Sequence, residues 1–153
     1  MKDFLQHRGL EIAQEDFSRP WGGFFMISDN SSEEFLKIFY PEIEYKKLII
    51  NKISPKILLV APGKRLSWQY HHRRSERWKL YEGEAGIIRS LSDEEGEMVR
   101  MIPGETVELA QGERHRLVGL EKWGIIAEIW QHTDADNPSD EEDIVRLQDD
   151  FGR

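Results

Sequence analysis

From Lys47 onward the chain is built of short runs rich in β-branched and aromatic residues. They are LIINKI (48–53), KILLV (56–60), LSWQYH (66–71), RWKLY (77–81), AGIIRS (85–90), TVELA (106–110), HRLVGL (115–120) and WGIIAEIW (123–130). Turn-forming clusters separate them: SPK, APGK, EGE, SDEEGE, IPGE and AQGE. Many short strands at close spacing, with no alternating helices, predict an all-β sandwich or barrel and not a parallel α/β sheet.

Upstream the pattern differs. SSEEFLKIFYPEI places Ser31 three residues before Glu34 and halts at Pro41, which predicts one short helix opened by a capping box. Residues 1–18 mix charge with Phe4, Leu5, Leu10 and Ile12 and read as an N-terminal arm, docked or frayed. Residues 134–153 are strongly acidic around an embedded IVRL and are expected to extend over the barrel without adding a strand to its core. With no repeat and no Gly/Ser- or Pro-rich linker, residues 1–153 read as a single domain.

Composition narrows the chemistry. The chain has 153 residues and no cysteine, so thiolate zinc sites, disulfides and cysteine nucleophiles are ruled out. Any metal must take nitrogen and oxygen ligands. A net charge of −8 argues against nucleic acid as a partner, although a local arginine cluster can still attract a small anion. The N-terminus lacks the apolar core of a secretory signal and no apolar run is long enough to span a bilayer, so a cytoplasmic protein with no membrane partner is expected.

The polar residues of PGKRLSWQYHHRRSERWKLYEGEAG (62–86) fall in a telling phase. If RLSWQYH is a strand, Arg65, Ser67, Gln69 and His71 share one face, because side chains alternate with a period of two. A polar face turned into a small barrel is costly unless a ligand satisfies it. The next strand puts Glu76, Trp78 and Leu80 on one face, and GERHRL supplies His115 behind a Gly112 turn. Gln69, His71, Glu76 and His115 therefore form a candidate site for a divalent metal, zinc first, with manganese, iron, cobalt or nickel as alternatives. Arg65, on the same predicted face, is a candidate ligand for an anionic substrate. Glu128 in IIAEIW is a candidate general base if it faces inward, and equally a candidate structural ion-pair partner; His72 is a second candidate base. The five tryptophans, Trp21, Trp68, Trp78, Trp123 and Trp130, are expected in the core, with Trp78 also a candidate at the site.

The spacing of Gly63, Gln69, His71, Glu76 and Gly83 resembles the first cupin motif, with glutamine in place of its first histidine. Gly104, Gly112 and His115 resemble the second, which departs from the pattern at Ala110, usually proline, and at Gly119, usually asparagine. More narrowly, RPWG (19–22), the run from Pro62, GERHRL and EEDIVRLQDDFGR are similar to the type II mannose-6-phosphate isomerase cupin domain, often fused behind a mannose-1-phosphate guanylyltransferase. The resemblance covers Pro62 to Arg153 plus RPWG and is weak from Gly23 to Lys56.

That resemblance implies a cupin double-stranded β-helix, a jelly-roll barrel, with a short N-terminal helical insertion. It implies metal-dependent aldose–ketose isomerisation of a sugar phosphate, first of all mannose 6-phosphate and fructose 6-phosphate, through a cis-enediol. Arg74 matches the family's arginine before the metal glutamate and is assigned to phosphate and to catalysis; Arg146 and Arg153, in the matching tail, are expected to close over the sugar. No glycine-rich nucleotide loop lies near the N-terminus, so no transferase activity is expected. The alternatives are an isomerase of another phosphosugar such as a heptose phosphate, an iron oxygenase, and a non-catalytic sugar- or sugar-nucleotide-binding cupin. The extra region from Ser28 to Lys56 is expected to shape the cavity mouth or to join a homodimer through a sheet edge.

Overall fold

A computed structural model describes residues 1–48 and 52–153. Its elements run α1 (Lys2–His7), β1 (Ile12–Asp16), β2 (Gly22–Ile27), a 3-10 turn (Asp29–Ser31), α2 (Ser32–Phe39), α3 (Tyr45–Leu48), β3 (Ile53–Val60), β4 (Trp68–Tyr70), β5 (Arg74–Ser90), β6 (Val99–Arg100), β7 (Thr106–Leu109), β8 (Arg114–His132) and β9 (Val145–Gln148). Ile49, Ile50 and Asn51 of the first predicted strand lie outside the described residues.

Two long strands organise the rest. β5 and β8 pair antiparallel from Arg74↔His132 to Ser90↔Arg114, with irregularities between Leu80 and Ala85. The predicted EGE turn is therefore a correction: Gly83 sits inside β5 at a bend. Its φ is +81° and a Cβ there would lie 1.8 Å from the Trp123 carbonyl oxygen, so only glycine permits this approach. Past the bend the same two strands take different neighbours. The first half of β5 pairs β7 and the second half β6. Likewise β8 pairs β3 through Gly124–Gln131 but β4 at His115.

The result is two facing sheets, β1-β2-β3-β8-β5-β7 and β9-β4-β8-β5-β6, joined through β5 and β8. This is the expected jelly-roll architecture, and the hydrogen-bonded network remains one open nine-stranded sheet. SPK, predicted as a turn, lies inside β3. Pro55 is tolerated there because β2 offers no partner beyond the Met26↔Lys56 pair.

Alternation assigns the two faces of the first sheet. Phe24, Leu58, Trp78, Leu80 and Ile126 point between the sheets and meet Ala85, Ile87 and Leu117 of the other. Phe25, Ile57, Ala127 and Ile129 point outward and are covered by Leu5, Phe35, Leu36 and Phe39 of the helical layer. Burying a side chain of this size contributes about 1.5–3 kcal/mol, so the layer is firmly docked and the N-terminal arm is not frayed. The helical part of the Ser28–Lys56 region packs on the back of the sheet, and of that region only Lys56 lines the cavity among the described residues. Helix α2 forms where predicted, but the capping box does not. The Ser31 hydroxyl instead accepts from the Glu11 amide at 3.0 Å, tying the helix entry to β1. The tail is corrected as well: Val145–Gln148 is a strand, β9, on the free side of β4.

Candidate metal centre

His71 follows β4 directly, Glu76 lies near the start of β5, and His115 near the start of β8. All three are buried, at 3 %, 3 % and 2 % exposure. The histidine Nε2 atoms are 3.2 Å apart, and those of His71 and His115 stand 3.3 and 3.5 Å from the Glu76 carboxylate oxygens. Gln69 lines the same cavity and is in register with His115 across β4 and β8.

The hydrogen bonds fix what these groups present. His71 Nδ1 donates to the Asp143 carbonyl at 2.7 Å and His115 Nδ1 to the Glu113 carbonyl at 2.8 Å. A carbonyl oxygen only accepts, so Nδ1 carries a proton in both rings and the two Nε2 atoms face each other, that of His71 also meeting the Arg74 guanidinium at 3.2 Å. Burial first of all holds the His71 imidazole down to about 4, against the attraction of Glu76, so it is neutral at neutral pH. Glu76 Oε2 is buried and has no hydrogen-bond partner among the described residues. Two facing Nε2 atoms beside an unsatisfied carboxylate oxygen suit a cation, and a His2Glu set with an adjacent amide fits a divalent metal.

Surrounding contacts hold this geometry. The Asp143 carboxylate accepts from the amides of His72 and Arg73, each at 3.0 Å, and from the Ser139 hydroxyl at 2.5 Å. Arg89 grips Glu113 with two hydrogen bonds, steadying the turn that carries His115. Arg74 donates Nε to Glu76 Oε1 at 2.7 Å and also reaches His71, Ser139 and the Asp140 carbonyl. Burial raises the Glu76 carboxyl, but Arg74, His71 and His115 together outweigh it and hold it at about 2.

The chain matches the family described as mannose-6-phosphate isomerase C-terminal over residues 27–149. It belongs to that family. The mannose-1-phosphate guanylyltransferase of Salmonella montevideo is 28% identical over 149 residues, covering 97% of this chain and 26% of the relative. The xanthan biosynthesis protein XanB of Xanthomonas campestris pv. campestris (strain B100) is 28% identical over 119 residues, 76% of this chain and 24% of the relative. The chain thus spans about a quarter of the length of these curated relatives. Among solved structures, the capsular polysaccharide assembling protein CapF from Staphylococcus aureus is similar in fold, with a TM-score of 0.57 at 15% identity over 88% of this chain and 31% of that one. The strand pairing is the double-stranded β-helix that the resemblance to cupins implies.

In this cupin the site opens onto a cavity of about 80 Å³ between the sheets. Glu128 lines it, fully inside, with Trp78 Nε1 donating to Oε2 at 2.7 Å and Trp130 Nε1 to Oε1 at 2.9 Å. Burial and then the charge of Glu76 push the Glu128 carboxyl up to about 8, against the pull of Lys56 and Arg74. Arg146 and Arg153 also line the cavity, as does Arg74. Arg74, however, has its guanidinium engaged by Glu76 and Ser139 and laid on Trp130 at 3.6 Å, so it positions the carboxylate and does not stand free for a phosphate.

Three further expectations are corrected. Arg65 is bound to Asp150 at 2.6 and 2.9 Å and lies outside the cavity, because β4 begins only at Trp68 and Arg65 precedes its alternation. His72 is exposed and turns edge-on to Tyr70, away from the metal ligands. Trp123, expected in the core, is exposed at 51 %.

Arg19, Lys56 and Glu141 also line the cavity, and none was singled out as a site residue. Lys56 did leave a signal, since in KILLV it shares the phase of the inward Leu58 and Val60. It is 5 % exposed, its Nζ 4.4 and 4.3 Å from the rings of Phe24 and Trp130 and 2.7 Å from Glu141 Oε1.

Proposed function

We propose that this protein is a metal-dependent isomerase that interconverts an aldose phosphate and its ketose, with mannose 6-phosphate and fructose 6-phosphate as the first pair to test. One observation carries the reading: the buried carboxyl of Glu128 shares a cavity with the His71–Glu76–His115 triad and with the cations Arg19, Lys56, Arg146 and Arg153. A divalent ion held by those three residues and Gln69 supplies Lewis-acid polarisation of the oxygens on the reacting carbons.

The chain's own groups do the rest. Glu128, poised near neutrality, takes a proton from one carbon and returns it to its neighbour. The two indole N–H groups keep its carboxyl aimed and limit its access to water. The cations at the mouth hold the phosphate, so binding energy remote from the reacting carbons orients them.

A coupled assay of metal-analysed protein against mannose 6-phosphate and a panel of other aldose phosphates, with a chelator control, tests this. Chelator-sensitive turnover is expected. Glu128→Gln should lose about 10²-fold or more in kcat at unchanged metal content, and His115→Ala should lose metal and turnover together. Stoichiometric metal with no turnover on any phosphosugar would overturn the isomerase in favour of a binding cupin.

A further inference from the structure

The Lys56–Glu141 pair has the wrong partner for a substrate site. Lys56 places one of the cations lining the cavity between two aromatic rings, where a charge is poorly hydrated, and its ion-pair partner is a carboxylate from the tail. That carboxylate is itself 50 % exposed, while the lysine side chain is 7 % exposed. The backbone on either side of Glu141 is fastened: Ser139 and Asp143 are buried and bonded to the metal-bearing loop. Glu141 can therefore leave by turning its side chain outward while the strap stays in place.

Lys56 and Glu141 both line the cavity, so an anion that pairs with Lys56 competes with the Glu141 carboxylate for it. Arg146, at the mouth, makes no hydrogen bond or ion pair with any other described side chain, and Arg153 is tied to Asp149. The anion-binding capacity of the cavity is thus left open at Arg146 and blocked at Lys56.

We infer that Lys56 is a ligand for the anionic group of the substrate and that Glu141 is a built-in competitor, a carboxylate that occupies Lys56 until a phosphate displaces it. The inference rests on reading the cavity as a phosphosugar site, and it adds the residue that sets the affinity. Occupation by Glu141 keeps Lys56 paired when no substrate is present and weakens anions that cannot outcompete a single carboxylate. A phosphate dianion, carrying more charge and more acceptor oxygens, is favoured over carboxylates and neutral sugars.

Calorimetric titration of the metal-loaded full chain with inorganic phosphate tests this without turnover. Glu141→Gln is expected to bind phosphate about fivefold more tightly than wild type, the scale of one partly exposed ion pair, and the gain should vanish in Lys56→Met/Glu141→Gln. Unchanged or weaker binding in Glu141→Gln, or a gain that survives in the double variant, overturns the inference. The isomerase reading fails separately: tighter phosphate binding without turnover on any phosphosugar sinks that reading and leaves the Lys56–Glu141 competition standing. Turnover with no effect of Glu141→Gln does the reverse.

Discussion

Arg74 and Glu76 lie two residues apart on one face of β5, and the guanidinium fixes carboxylate Oε1 so that Oε2 is left toward His115. The arrangement leaves Oε2 as the carboxylate oxygen not engaged by the arginine. Arg74→Ala is expected to weaken metal affinity about tenfold or more, the usual cost of removing a group that orients a ligand, while Arg74→Lys restores charge but not the aim. Competition against a fluorescent chelator reads the change. Tighter metal binding in Arg74→Ala would mean that repulsion between the arginine and the metal outweighs orientation.

Asp143 joins the tail to the metal loop by two routes, its carbonyl to His71 and its carboxylate to the amides of His72 and Arg73. Asp143→Ala leaves those amides unpartnered and should cost about 2–4 kcal/mol of stability, since hydrogen bonds to charged groups run about 1.5–3 kcal/mol each. Metal affinity should fall with it. Asp143→Asn, which keeps one acceptor, should lose less in chemical denaturation.

Glu128 makes stability depend on pH in an unusual direction. Its carboxyl moves from an ordinary 4.5 to about 8 on folding, so the fold favours the protonated form. The contribution is complete below about 4.5 and is lost as pH climbs through about 8, with a slope of at most about 1.4 kcal/mol per pH unit. Urea midpoints of chelator-treated protein should fall between pH 5 and 8, and Glu128→Gln should flatten that fall. An identical slope in the variant would assign the effect elsewhere.

Gly119 stands where related motifs usually carry asparagine, and here a Cβ would lie 2.0 Å from the Ala61 carbonyl oxygen. Gly119→Asn must push the Ala61–Lys64 turn away from β8 and should destabilise by about 1–3 kcal/mol or more. Since that turn leads into β4, Gln69 would shift with it, and a melting curve together with metal affinity would register both effects.

Much of this was readable from residue phase. The period-two alternation put Gln69, His71 and Glu76 on inward faces and left Glu128 as a carboxylate that pays no visible dividend unless it faces the site. Where strands are short or bent, phase stops carrying information: Arg65 lies three residues before β4 begins, and Gly83 looks like a turn because the glycine that ends a strand is also the glycine that bends one. Hydrogen bonds from distant segments were invisible for a different reason. Nothing in EEDIV marks Asp143 as the holder of His71, because the contact spans 72 residues and uses a backbone carbonyl. Lys56 was legible in phase, but a lysine in a strand reads as an edge or surface residue until the rings around it are known.

The passage of β5 and β8 through both sheets has a consequence for how such a protein can change. Glu76 and His115 lie on these shared strands, so two of the candidate ligands are set by the frame, while His71 is held from the tail by Asp143. On the proposed reading, the groups that would choose among phosphosugars, Arg19, Glu141, Arg146 and Arg153, belong to connecting segments and the tail. Selection, or an engineer, can rewrite substrate preference at that rim by single substitutions while the chemistry at the centre is inherited intact.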